Sequence, residues 1–295
     1  MKTSCSASAI FAALLFVDSR IARHGTPEGQ RERNGHGCGR GRKHRRGRRD
    51  QSRQTTGESD FVAHQRPVSA NEDFGYGPSH NGYKFTLNIQ PVIPISLNKD
   101  WNLILRTIFP IVSQHDLFYV ENVPKSLHII QNRSQDGLSD TTQSFFLSPK
   151  VPGPFGLIWG IGPVFLYPTG THPFLGTGTF SIGPTVVVLK QMGGLTAGAL
   201  MNQLWSVAIE EDRKSVSQMF LQPFLAYTTN THTTFTLSTE ATANWNNTPG
   251  DAKWTIPLIF QVSQILKLGK QPISIQIGGK YYADTRATGP IGVCA

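Results

Sequence analysis

The strand-bearing part of this chain has no cysteine: Cys5, Cys38 and Cys294 all lie near the two ends. That excludes a disulfide framework and a cysteine-based zinc site from the body. It is compatible with passage through an oxidising compartment. Long apolar runs are also missing. The run Ala7–Val17 spans 11 residues, and no later run reaches the roughly 18 residues that a membrane-crossing helix needs. Nucleotide-binding and hydrolase signatures are absent: there is no GxGxxG ahead of a helix, no P-loop, no HExxH and no GxSxG. Nor does the body carry charge of one sign. Residues 59–295 hold 15 Lys/Arg against 14 Asp/Glu, while residues 19–58 hold 12 against 4, so the +9 of the whole chain belongs to one short segment.

That segment follows a different signal. Met1-Lys2 ahead of Ala7–Val17 resembles the first two regions of a secretory signal peptide. Residues 1–18 are read as a signal-peptide-like segment. A buried N-terminal helix is the alternative, because Asp18, Arg20 and Arg23 stand where a small-x-small cleavage site belongs. Residues 19–58, with Arg40 to Arg49 at their centre, are too polar to offset the entropy of ordering. They read as a frameshifted linker, in which Ala codons of GC-rich DNA become Arg codons one base out of register. A genuine disordered tail and an RNA- or lipid-binding arm are the alternatives. No nucleic-acid partner is expected for the body.

The body, residues 59–285, is patterned with a period of two. Tyr83, Phe85, Leu87 and Ile89 oppose Lys84, Thr86, Asn88 and Gln90. Phe235, Leu237, Ala241 and Trp245 oppose Thr236, Ser238, Glu240 and Asn244. Ile273, Ile275, Ile277 and Tyr281 oppose Ser274, Gln276 and Lys280. Successive strand side chains point to opposite faces, so each segment has one apolar and one polar face. Eleven strands follow: 61–76, 83–95, 101–112, 140–148, 157–167, 179–190, 195–207, 216–228, 233–246, 252–268 and 272–284. Tight turns alternate with longer loops, the longest being Ser113 to Ser139. The expected fold class is all-β, an antiparallel transmembrane β-barrel with about 11 strands of 12 and a disordered N-terminal tail. A soluble barrel or sandwich would alternate too, but with shorter strands. Prolines 91, 94, 110, 163, 184, 223 and 257 and glycines 160, 162 and 183 fall inside strands, which predicts bulged and bent strands.

Several strings carry a family resemblance: Phe74-Gly75-Tyr76-Gly77-Pro78, Leu87 to Pro94, Asp100-Trp101-Asn102-Leu103-Ile104, Gly160-Ile161-Gly162-Pro163, Leu221-Gln222-Pro223-Phe224 and Val262-Ser263-Gln264. Taken in order they resemble the bacterial transporter-like outer-membrane barrels grouped with the meta-pathway of phenol degradation, over about residues 60–285. The resemblance implies an outer-membrane location reached through the periplasm, a lipid environment, and passage of small hydrophobic or aromatic solutes. It brings no catalytic residues. Residues 286–295 depart from the pattern. The family continues after Gly-Pro with an acidic residue and Trp-Gly-Leu-Arg, whereas Gly289-Pro290 here precedes Ile291 to Ala295. Loss of one base produces such a string.

The expected function is a passive channel or transporter, the alternative being a structural or surface-adhesion barrel with a closed interior. Charges facing lipid at mid-depth cost about 2–4 kcal/mol for Lys or Arg, so polar residues of the strands belong in the lumen. The lumen-facing candidates are Lys84, Asn88, Gln90, Arg106, Glu240, Gln276 and Lys280. They either fill and pair in the interior or line a selective pore. His115 with His128, and Glu211 with Asp212, read as solvated loop groups. No catalytic, cofactor or metal site is expected, and the chain is not expected to be an enzyme.

Overall fold

The computed structural model describes residues 68–76, 81–117, 134–210, 213–246, 253–268, 271–285 and 293–294. The expectations for residues 1–67, including the start of the first strand, lie outside the described residues, as does most of the Ser113–Ser139 loop.

The described residues are all-β, apart from a single 3-10 turn at Pro154–Gly156. Fifteen strand segments form one antiparallel sheet. They are β1 (Val68–Tyr76), β2 (Gly82–Ile89), β3 (Val92–Ser96), β4 (Trp101–His115), β5 (Ser134–Leu138), β6 (Thr141–Pro149), β7 (Leu157–Tyr167) and β8 (Thr179–Met192). They continue as β9 (Leu195–Ile209), β10 (Ser217–Thr228), β11 (Thr233–Thr239), β12 (Ala241–Asn244), β13 (Trp254–Leu268), β14 (Gln271–Asp284) and β15 (Val293–Cys294). Three pairs of segments share neighbours and form single rows: β2 with β3, β5 with β6, and β11 with β12. The sheet therefore has eleven long rows in chain order, plus the two-residue β15.

Proline explains why rows are split. It has no N–H to give to a ladder. Pro91 separates β2 from β3. The expected single strand from Tyr83 to Ile95 is corrected accordingly. Pro110 lies on β4 where its partners change from β5 to β6, with Ser139 N–H bonding its carbonyl at 2.9 Å. The long loop is thus shorter than expected, because β4 runs on to His115 and β5 occupies Ser134–Leu138. Pro163 and Pro184 face each other across β7 and β8. The outer ladders of both strands are interrupted there. The expected strand 233–246 breaks at Glu240, which the register places between Gln222 and Pro257, with Pro223 one step away. Strand β9 extends two residues past the expected Val207.

Two glycines let backbones come close where the sheet bends. A Cβ built on Gly162 would overlap the Phe145 carbonyl oxygen, and one on Gly183 the Gln203 carbonyl oxygen. Gly75, at φ 81°, makes a bulge in β1 that turns Tyr76 to the same face as Asp73.

The two faces of the sheet differ in an unusual sense. Leu237 is 53% exposed beside Ser238 at 5%, and Phe260 is 52% exposed beside Gln261 at 8%. Among the described residues, Asp73, Asn102, Arg106, Gln114, Asn202 and Lys280 are buried, while Ile93, Phe109, Ile161, Leu225 and Ile277 are exposed. We call the buried face inner. Toward the short turns at 97–100 and 193–194 it becomes apolar: Ile104, Phe146, Val187, Leu189 and Leu200 cluster, with Phe220 and Phe224 against them. Gly160 and Gly198 leave room for these rings, since a Cβ would sit 3.2 Å from Phe146 Cβ or 2.7 Å from Phe224 Cζ.

Every ladder between neighbouring rows is antiparallel, so rows one and eleven, β1 and β14, run in the same direction. They cannot join as an antiparallel pair. Between them lies β15, antiparallel to β14 at Gly279 and Lys280 and touching β1.

Gly183→Ala is expected to destabilise the fold by roughly 1–3 kcal/mol through overpacking, lowering the urea midpoint of tryptophan fluorescence. Gly279→Ala, where a Cβ meets nothing within 4 Å, is expected to leave it unchanged.

Candidate functional site

The sequence-derived candidates share the inner face. Lys84 stands opposite Asp73 on one side and Gln114 on the other. Asn88 and Gln90 follow on the same face of the row. Arg106 is opposite Val92 and Ser144. Gln276 is opposite Ser263, and Lys280 opposite Ile259. Glu240 continues the face of Ser238.

The structure gathers these residues into separate groups. The largest sits at the seam between the first and last long rows. Lys280 Nζ donates to Asp73 Oδ1 at 2.8 Å, and Tyr282 Oη donates to the same oxygen at 3.1 Å. The Tyr76 side chain stands close to that of Tyr282. Lys84 feels both Asp73 and Lys280 electrostatically. The neighbouring amide Gln114 Nε2 donates to Gln135 Oε1 at 3.0 Å. Two residues 207 positions apart thus hold the ends of the sheet together. A second group runs from Arg106 Nη2 to Gln90 Oε1, 2.9 Å, and from Gln90 Nε2 to Ser69 Oγ, 3.2 Å. Glu240 stands apart, accepting from Gln222 Nε2 at 3.1 Å. Among the described residues, Asn88 and Gln276 join none of these groups.

Asp73, Tyr76 and Tyr282 were not among the candidates. Asp73 shares the polar side of β1 with Ser69 and Asn71, a signal that was visible in the sequence. The inward turn of Tyr76 depends on the Gly75 bulge and was not.

A third group, also missed, lies among the longer loops. Asp140 Oδ2 accepts from the Thr177 amide and hydroxyl, both at 2.6 Å, and Oδ1 accepts from Gly170 N–H at 3.1 Å. These bonds tie loop 168–178 to the start of β6. Beside it Asp140, Gly170, Thr171, His172, Glu210 and Arg213 line a cavity of ≈ 160 Å³. The Gly176-Thr177-Gly178-Thr179 string is the one local sequence cue to this anchor.

Some polar side chains on the outer face pair with one another. Thr107 donates to Gln143 Oε1, and Trp245 Nε1 donates to Gln203 Oε1 at 3.2 Å. Tryptophans meet edge-to-face at both ends of the sheet, Trp101 with Trp159 and Trp245 with Trp254, each at 6.1 Å. Among the described residues, no three His, Cys, Asp or Glu side chains converge as a metal site, and no helix is long and apolar enough to cross a membrane.

Comparison with known proteins gives no match: no protein-family model fits the chain, and no curated protein or solved structure matches it.

Lys280→Met leaves Asp73 buried without its cation. It is expected to cost roughly 3–5 kcal/mol, as breaking one side of a buried pair does. Asp73→Asn combined with Lys280→Met should recover most of that loss. Urea unfolding of the native chain and the two variants measures both effects, and an unchanged midpoint for Lys280→Met would remove the pair's role at the seam.

Proposed function

We propose that this protein is an outer-membrane β-barrel of a Gram-negative bacterium, exported through the periplasm, that passively passes small apolar or aromatic molecules. The observation that carries this reading is the inverted burial. A soluble domain of this size does not expose an apolar surface that runs across most of its strands, while a bilayer favours one. The paired polar groups of the outer face and the tryptophans at both ends suit lipid and its interfaces. Among the described residues, the inner face keeps polar atoms without a protein partner, such as Asn102 Oδ1 and Ser238 Oγ, which a wet interior satisfies. The resemblance of the motif strings favours the same class. A bilayer also requires closure, because an open edge leaves backbone groups unsatisfied. With rows one and eleven running the same way, a closed antiparallel barrel takes a twelfth row, and β15 lies where that row would start.

The second reading, a structural or surface-adhesion barrel with a closed interior, has its own observation. The cluster around Phe146 and Phe224 crosses the inner face near the short turns. In the conduit reading it is a constriction that favours solutes with an apolar body. The protein is read as a conduit and not as an enzyme.

The folded chain is expected to fractionate with outer membranes as a heat-modifiable band and to make liposomes permeable to small uncharged aromatics. Phe146→Ala with Phe224→Ala should speed the swelling several-fold. If neither the native chain nor that variant admits solute, the closed barrel is the correct reading. Absence from the membrane fraction would overturn both. Glu240→Cys should react only with small water-soluble thiol reagents, and labelling from the lipid phase would reverse the assigned faces.

A further inference from the structure

Among the described residues, the inner face of the long rows carries three cations, Lys84, Arg106 and Lys280, and two anions, Asp73 and Glu240. Their pairing is uneven. Lys280 and Tyr282 both take Asp73 Oδ1, and Arg106 has Gln90. Lys84 is half-buried and has Asp73 opposite in the ladder. Yet among the described residues its ammonium has no hydrogen bond and no ion pair, while a second ammonium, that of Lys280, stands in electrostatic range. The seam group therefore holds one carboxylate between two lysines, an excess of one positive charge. Beside it stands one group that can donate further, the hydroxyl of Tyr76. An uncompensated ammonium away from bulk water is costly, and an incoming anion removes that cost.

We propose that Lys84 is the cationic anchor of an anion subsite, and that the head group it takes is the carboxylate of a small organic acid. The inference deepens the conduit reading, since the conduit is what brings solute to the inner face. It assigns the head group alone. Asp73 holds Lys280 and leaves Lys84 free for the ligand. Where the side chain is partly screened from bulk water, a single fixed charge of this kind discriminates between an acid and its neutral amide better than it does in water.

The test uses the folded full-length chain in detergent, titrated calorimetrically with benzoate and with benzamide, which share a shape and differ in charge. Benzoate is expected to saturate at least tenfold more tightly than benzamide. Lys84→Gln should erase that preference and Lys84→Arg should keep it. Equal binding of the two probes, no saturable benzoate binding, or a preference that survives Lys84→Gln would overturn the proposal. The native ratio decides alone if Lys84→Gln does not fold. Liposome swelling separates the two readings. Benzoate binding without solute entry leaves the subsite and removes the conduit, whereas entry without a benzoate preference does the reverse.

Discussion

The strand register is the constraint on which the rest of this structure depends. Most rows alternate apolar and polar side chains, and a slip of one residue would move every side chain of a row to the other face. Neighbouring rows agree: Lys84 meets Asp73 and Gln114, Gln261 meets Gly278, and Leu237 meets Phe260. Consistency across so many ladders gathers most polar groups, with the apolar cluster around Phe146, on one face and leaves an apolar surface on the other. It is also what brings Asp73 and Lys280 to the same side of the seam, within hydrogen-bonding reach.

Proline and glycine set where that sheet departs from a regular ladder. Pro163 and Pro184 sit back to back, each interrupting the ladder on its outer side. Gly162 and Gly183 are their close neighbours, with strand backbones too near for a side chain. One local rule accounts for both: bends are made where a ladder donor is missing and where no Cβ obstructs the approach. Glu240 lies at a break made the same way by Pro223 and Pro257, so its carboxylate sits beside a ladder gap and accepts from Gln222. The broken rows and the buried charges are therefore not independent features.

Much of the fold was legible in the sequence. Leu157–Tyr167 matches at both ends, and most other strands agree within a few residues. Period two is a local property, and it also predicts the shared face of the seven candidate residues. Less of the site could be read. The sequence marks Lys84 and Lys280 as inward polar residues, but nothing local tells that these two gather around Asp73, or that Arg106 and Gln90 form another group. That partnership spans the whole chain and depends on how the first and last rows approach. The Asp140 anchor was hidden for a similar reason, since its partners come from a loop that begins 28 residues later.

The sequence by itself determined the all-β class, the alternation of faces, the positions of the bends and the absence of the usual catalytic signatures. These follow from single residues or from neighbours along one strand, where backbone geometry leaves little choice. Only the tertiary structure decided which side chains meet. It joined Asp73 to Lys280, left Lys84 without a hydrogen bond among the described residues, gathered Phe146 and Phe224 into one apolar cluster and laid Val293–Cys294 against β14. Such contacts link rows far apart in the chain, and they depend on sheet twist and strand approach, which no local pattern encodes.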